Sequence, residues 1–171
     1  MSYFGNLMLE QQRYDEWSRL YKAAPQPIDV MFPDENKSVL LVTDGSVRGA
    51  SGGPAGWACT VDGVPYSGFV PYARNNQMEL FAVLCGIQAC PFGSNIILKT
   101  DSKNAIQWLH GRPIRDWDIS IIRIGIRDVL DNLGSRIIRI VQAHEPDPDI
   151  KFVDELAKTQ SRVAQIWNSS H

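Results

Sequence analysis

The chain has 171 residues with a net charge of −2, from 17 basic against 19 acidic side chains, and is 44 % hydrophobic and 21 % charged. That size suits one globular domain with a short appendage, and the balance lacks the basic excess that phosphate binding usually leaves. No apolar run nears the ~20 residues of a bilayer span, residues 1–6 do not read as a secretion signal, and Cys59, Cys85 and Cys90 show neither an even count nor a CxxC spacing, so no membrane association and a reducing, cytoplasmic setting are expected.

Residues 7–22 read as a helix, with Leu7, Tyr14, Trp17, Leu20 and Tyr21 near helical spacing. Ala24-Pro25-Gln26-Pro27 ends it. Residues 1–37 are thus expected to be an extension and linker that docks on the main domain or on a protein partner, with residues 38–171 as the main domain. That domain opens with Ser38-Val39-Leu40-Leu41-Val42-Thr43-Asp44, apolar at successive positions and so suited to a strand covered on both faces. A glycine-rich turn is expected over 45–54. Residues 56–61 and 66–70 flank Asp62-Gly63, a strong hairpin signal.

A buried helix over 76–90 follows, capped by Asn75 or Asn76 and stopped by Pro91. A strand at 95–100 and a helix at 102–109 come next. Ile119, Ile122, Ile126, Val129 and Leu133 mark a longer helix at 118–133, ended by Gly134. A fifth strand at 136–141 and a last helix at 153–167 complete the order βββαβααβα. The expected fold is α/β: a five-stranded mixed sheet, three antiparallel strands then two parallel ones, flanked by helices.

Four acids take unusual places in this scheme. Asp44 ends the first strand, Glu79 is the only charge in an otherwise apolar helix, Asp101 ends the fourth strand, and Asp154 falls in the first turn of the last helix. Each has a plain structural role open to it, as turn former, cap or partner of a helix dipole. Jointly they differ, because the first and fourth strands are neighbours in the implied sheet and ligands collect beyond the carboxyl ends of such strands. Crowded carboxylates repel, divalent cations relieve that repulsion, and oxygen ligands suit Mg²⁺ or Mn²⁺.

"TDGS" at 43–46, "NNQMEL" at 75–80, "TDS" at 100–102 and "AHEPDPDIKFVDELAK" at 143–158 closely resemble type 1 ribonuclease H, in the right order over residues 38 to about 165. The resemblance implies the RNase H-like fold and an endoribonuclease that cuts the RNA strand of RNA–DNA hybrids with two Mg²⁺ ions, giving 5′-phosphate and 3′-hydroxyl ends. It implies Asp44 as the bridging ligand, Glu79 and Asp101 completing one metal site, and Asp154 holding the other. His144, ten residues before Asp154, takes the place of the family's loop histidine, which shuttles a proton or helps product leave. Asp147 and Asp149 are rival ligands by type, though the match to "DELAK" favours Asp154.

The same resemblance implies hybrid contacts at Asn75, Asn76 and Gln77, with Ser46, Arg48 and Arg74 as phosphate contacts. Two features depart from the family. The lysine-rich protrusion of several members is replaced by residues 111–117, where Arg112, Arg115 and Trp117 are the candidates to substitute, and Ile150 and Lys151 stand where polar and acidic residues are common. The rival readings are an RNase H-fold nuclease of resolvase or exonuclease type, and a non-catalytic hybrid-binding module.

Overall fold

The computed structural model describes residues 38–171, so the helix and linker expected within residues 1–37 lie outside the described residues. Strand β1 (Ser38–Val47) is followed by β2 (Gly53–Val61) and β3 (Val64–Ala73), then helix α1 (Asn75–Ala89) and β4 (Asn95–Thr100). Helices α2 (Lys103–Leu109) and α3 (Trp117–Leu133), strand β5 (Arg136–Gln142) and helix α4 (Pro148–Ser170) complete the domain. The sheet order is β3-β2-β1-β4-β5. β1 is antiparallel to β2 and parallel to β4, β2 is antiparallel to β3, and β4 is parallel to β5. This is the mixed sheet expected from the element order.

β1 alternates in which helix layer it meets rather than between core and water. Leu41 packs with Leu80, Val83, Ile87, Ile122 and Ile126 under α1, α2 and α3. Val42, one residue on, packs with Ala58, Ile150, Val153 and Ala157 under α4. Leu41 and Val42 are 0 % and 1 % exposed, so from Leu41 on the apolar run lies between two layers, while Leu40 just before it is exposed. Each such side chain contributes about 1.5–3 kcal/mol through burial.

Turn chemistry fixes the register. Asp62 and Gly63 have φ of 48° and 82°, the paired positive angles of a tight hairpin turn. The Asp62 carboxylate also accepts from the Leu40 N–H at 2.9 Å, pinning the hairpin to β1. Gly134 ends α3 in the left-handed conformation at φ 60°.

Several expected boundaries move. The glycine-rich turn is shorter than 45–54, because Gly45 continues β1, which runs to Val47. The cap of α1 is Arg74, not Asn75 or Asn76; its backbone N–H donates to the Gln77 side chain at 3.3 Å, and the two asparagines fall in the first turn. α4 begins at Pro148, five residues before the expected start. Asp147 caps it by accepting from the Asp149 and Ile150 N–H groups at 3.0 and 3.2 Å, and Pro148 takes the first helical position, where its missing N–H costs nothing. Asp154 therefore stands about two turns into the helix rather than in its first turn. Among the described residues no helix is long and apolar enough to cross a membrane.

Gly56 lets α4 lie directly on β2. A Cβ there would overlap the Ala157 carbonyl oxygen and come within 2.6 Å of Ser161 N. Gly56→Ala is therefore expected to destabilise the fold by about 1–3 kcal/mol, read as a lower urea midpoint with an unchanged slope.

Candidate active site

The carboxyl ends of β1 and β4 meet at the centre of the sheet, and three acids converge there. Asp44 is 4 % exposed and by alternation shares the Val42 face, the one under α4. Glu79 comes from α1 on the other face. It reaches Asp44 because the residue between them is glycine: a Cβ on Gly45 would lie 2.7 Å from the Met78 carbonyl carbon and 2.9 Å from Glu79 N. Helix backbone thus rests on strand backbone at the position that carries Glu79. Asp101 follows β4 directly and is exposed. Capping of α2 falls to Ser102, which accepts from the Ala105 N–H at 3.2 Å and leaves the Asp101 carboxylate free of that duty.

One carboxylate oxygen from each of Asp44, Glu79 and Asp101 lies within 4.8 Å of the others. Burial, then Asp101 and Asp154, push the Asp44 carboxyl up to about 8, against a small opposing pull from the Gly45 amide. Glu79 is raised well above its usual range by burial, then by Asp44 and Asp101. Asp101 is raised by its partial burial and by the nearby Asp154 and Glu145. Glu79 Oε2 is buried with no hydrogen-bond partner. A buried oxygen without a donor, in a cluster of mutually repelling carboxylates, fits a hard divalent cation, which is bound by such oxygens.

Asp154 adjoins this group without being one of the three. It lies near enough to push the Asp44 and Asp101 carboxyls up, while its Oδ2 accepts from Lys158 Nζ one helical turn on, at 2.7 Å. His144 is exposed on the loop between β5 and α4. Among the described residues no hydrogen bond or ion pair joins it to the carboxylates. The neighbouring Ala143 N–H donates to the Thr100 carbonyl at 2.9 Å, fastening that loop to the end of β4.

The expected substrate contacts divide in two. Ser46 lies two residues past Asp44 and Arg48 just beyond β1, where its backbone N–H donates to Pro54 O. Asn75 is exposed in the first turn of α1, and Asn76 accepts from the Asn104 side chain at 3.1 Å. Gln77 and Arg74 are engaged within the protein: Gln77 closes the start of α1, and the Arg74 guanidinium pairs with Asp116 at 2.6 Å and Asp118 at 3.5 Å. Arg112 is tied to Gln107, Trp117 is the first residue of α3, and Arg115 stays exposed.

Asp147 is a helix cap held by Lys99 Nζ at 2.6 Å, which leaves it unsuited to ligating a metal, and Asp149 shares the same lysine at 3.1 Å. Sequence reasoning missed this lysine clasp; its signal was the Asp-Pro-Asp cap together with a lone lysine in an apolar strand. A groove of about 560 Å³ beside β5, lined by Trp108, Arg123, Arg127, Leu130, Arg136 and Ile140, holds none of these acids.

A family model described as RNase H matches residues 36–162. The chain is 31 % identical to the ribonuclease H of Xanthomonas axonopodis pv. citri, over 75 % of this chain and 95 % of that protein. Its fold matches the crystal structure of RNase H1 from the halophilic archaeon Halobacterium salinarum with a TM-score of 0.63 and 26 % identity, over 74 % of this chain and 98 % of that one. A further likeness, of fold alone at 17 % identity and a TM-score of 0.62, is to LC11-RNase H1 in complex with an RNA/DNA hybrid, over 75 % of this chain and 99 % of that one.

The raised Asp44 carboxyl has a consequence for stability. Between its unfolded value of 3.8 and its folded value of about 8, the metal-free folded state holds a proton that the unfolded state has lost. Stability therefore falls as pH rises through that window and levels off above it. Asp44→Asn is expected to raise metal-free stability at pH 8 by on the order of 3 kcal/mol and to leave it nearly unchanged at pH 4. Added divalent cation should raise the melting temperature of the parent, more at pH 8 than at pH 6, and that of the variant far less; thermal melts at each pH check both.

Proposed function

The chain belongs to the RNase H family, and from that membership we propose that it cuts the RNA strand of RNA–DNA hybrids internally, as a divalent-metal-dependent endoribonuclease leaving 5′-phosphate and 3′-hydroxyl ends. The observation that carries the reading is the convergence of Asp44, Glu79 and Asp101 oxygens within 4.8 Å around the partnerless buried Glu79 Oε2. We assign two Mg²⁺ ions, with Mn²⁺ as the alternative: Asp44 shared between them, Glu79 and Asp101 on one, Asp154 on the other. When bound, such ions supply activation of the attacking water and charge stabilisation at the departing oxygen.

The protein's own groups do the rest. Burial of Asp44 and of the Glu79 Oε2 atom keeps competing water from those oxygens and restricts the direction in which they face. Asn75, Asn76 and Gln77, at the start of the helix that carries Glu79, are assigned to the 2′-hydroxyl edge of the RNA strand, the feature that separates RNA from DNA. Ser46 and Arg48 are assigned to phosphate, with Arg74 sharing that role while held by Asp116. His144, exposed on its loop, is assigned to proton transfer as the 3′-oxygen departs. Residues 38–171 are the catalytic domain in this reading, and residues 1–37 the extension through which a protein partner is engaged, in a cytoplasmic setting.

The test is cleavage of an end-labelled hybrid by metal-stripped protein before and after Mg²⁺ is restored, beside a plain DNA duplex. Cleavage should return only with the cation and only on the RNA strand. Asp44→Asn should lower the rate by roughly 10³-fold or more, and His144→Ala by roughly 10²-fold at neutral pH. Equal cleavage of the DNA duplex, or activity indifferent to divalent cation, would overturn the reading.

A further inference from the structure

Lys99 is a charged residue in the interior of β4, between Val42 of β1 and Val141 of β5. In parallel strands, aligned residues share a face, so Lys99 shares that of Val42, beneath the start of α4. Its side chain is 19 % exposed and that of Asp147 15 %. The ammonium lies 2.6 Å from Asp147 Oδ2, while Oδ1 of the same carboxylate accepts from the Asp149 and Ile150 N–H groups at the head of α4. Asp149 adds a second, more exposed contact at 3.1 Å. One carboxylate therefore joins the strand that ends in Asp101 to the first turn of the helix that carries Asp154. Exposed ion pairs contribute little, but this one is largely shielded and shares its carboxylate with a helix cap.

The geometry downstream is rigid. Asp154 lies seven residues after Asp147 in continuous helix, about 10 Å along the axis. The packing of Ile150, Val153 and Ala157 against Val42 and Ala58 holds the helix against the sheet. Apolar contacts are non-directional; beyond Asp154 the helix is also tied to β3 by Gln160 to the Ser67 hydroxyl at 3.2 Å and by Asn168 to the Pro71 carbonyl at 2.8 Å, whereas before Asp154 the clasp is the polar tie that sets its position along the axis and its roll. The loop bearing His144 is fastened at the same two places, by Ala143 to Thr100 and by Asp147 to Lys99.

We infer that Lys99 is a positioning residue: by tying the head of α4 to β4 through Asp147, it sets where Asp154 stands against Asp44 and Asp101. The inference rests on the hydrolytic reading above and adds to it a residue that touches neither substrate nor cation.

The experiment compares the full chain with Lys99→Met, Lys99→Arg, Asp154→Asn and the Lys99→Met/Asp154→Asn double variant. Hybrid cleavage at saturating Mg²⁺, Mn²⁺ binding by calorimetry and thermal unfolding are measured for each. Lys99→Met should lower kcat about 10-fold and weaken the weaker Mn²⁺ binding event by a similar factor, while Lys99→Arg, which keeps the charge and reach, should stay within about 3-fold of the parent. In the Asp154→Asn background, adding Lys99→Met should cost less than about 2-fold, because the residue through which Lys99 acts has already lost its charge.

Equal losses in both backgrounds would reduce Lys99 to a general stabiliser and overturn the inference. Parent-like kcat and Mn²⁺ binding in a folded Lys99→Met would do the same. Should Lys99→Met melt below the assay temperature, Asp147→Asn keeps the Oδ1 cap while dropping the charge that Lys99 holds, and carries the same expectation. If the parent cleaves no hybrid, the substrate reading falls on its own, and the calorimetric comparison alone decides whether Lys99 places Asp154.

Discussion

The structure depends on one close contact, the resting of α1 on β1 at Gly45. A side chain there would collide with the Met78 carbonyl and the Glu79 amide, so any other residue would push helix from strand where Glu79 must reach Asp44. Two ionised carboxylates 4–5 Å apart repel by on the order of 3 kcal/mol at an effective dielectric of about 20, and burial adds a desolvation cost to each. The fold holds them together regardless, because Leu80, Val83 and Ile87 of the same helix are fully buried against Leu41, Ile96 and Leu98. Hydrophobic burial along α1 is the force; repulsion among the acids is the load it bears, and a cation is what removes the load.

The opposite face repeats the device with a different helix. Gly56 of β2 lets α4 descend onto the sheet as Gly45 lets α1 do so, and Ser46 pairs with Gly56 in the register that pairs Asp44 with Ala58. Asp154 is brought to Asp44 from that side. Its carboxylate is also paired with the oppositely charged Lys158 at 2.7 Å. Glu79, by contrast, has an oxygen with no donor at all. The two carboxylates thus differ: Glu79 keeps one buried oxygen without a partner, whereas Asp154 is paired with a lysine of its own helix.

The strand pattern was legible because it follows from two periodicities and from Asp62-Gly63, whose backbone angles admit one turn. Asp44, Glu79 and Asp101 stood out as exceptions, carboxylates within or just after an apolar strand or alone on an apolar helix, which violate the local rule, and these three are brought together; Asp154 stood out less, since its helix starts earlier than its sequence suggests. What stayed hidden depended on contacts across the fold. Gly45 reads as a turn former from its neighbours; only the position of Met78 shows that it is a strand residue chosen for lacking a Cβ. Asn75 and Asn76 are good caps by type, yet the Gln77 side chain reaching back to the Arg74 N–H moves the boundary before them. Asp147-Pro148 was a readable helix start, obscured by a proline two residues earlier that made the segment look like loop. Lys99 stood out as a lone charge in an apolar strand, but nothing near it in sequence named its partner, which is 48 residues away.

The short connection at 111–117 gains its meaning from Arg74. Where a basic protrusion would project toward a substrate, this chain runs its connection back against its own body. Asp116 caps α3 with one carboxylate oxygen and holds the Arg74 guanidinium with the other, and the Arg112 carbonyl accepts from Arg123 of α3 at 2.7 Å. The start of α3 is thereby pinned to the start of α1, beside Asn75 and Asn76 and one turn from Glu79. That arrangement gives up long-range electrostatic reach and fixes in its place the helix end that faces the RNA strand in the proposed reading. With a net charge of −2 and no projecting basic arm in this connection, selectivity in that reading rests on short-range contacts to the sugar edge, whose geometry the Arg74–Asp116 pair holds, more than on attraction to phosphate, which salt would screen.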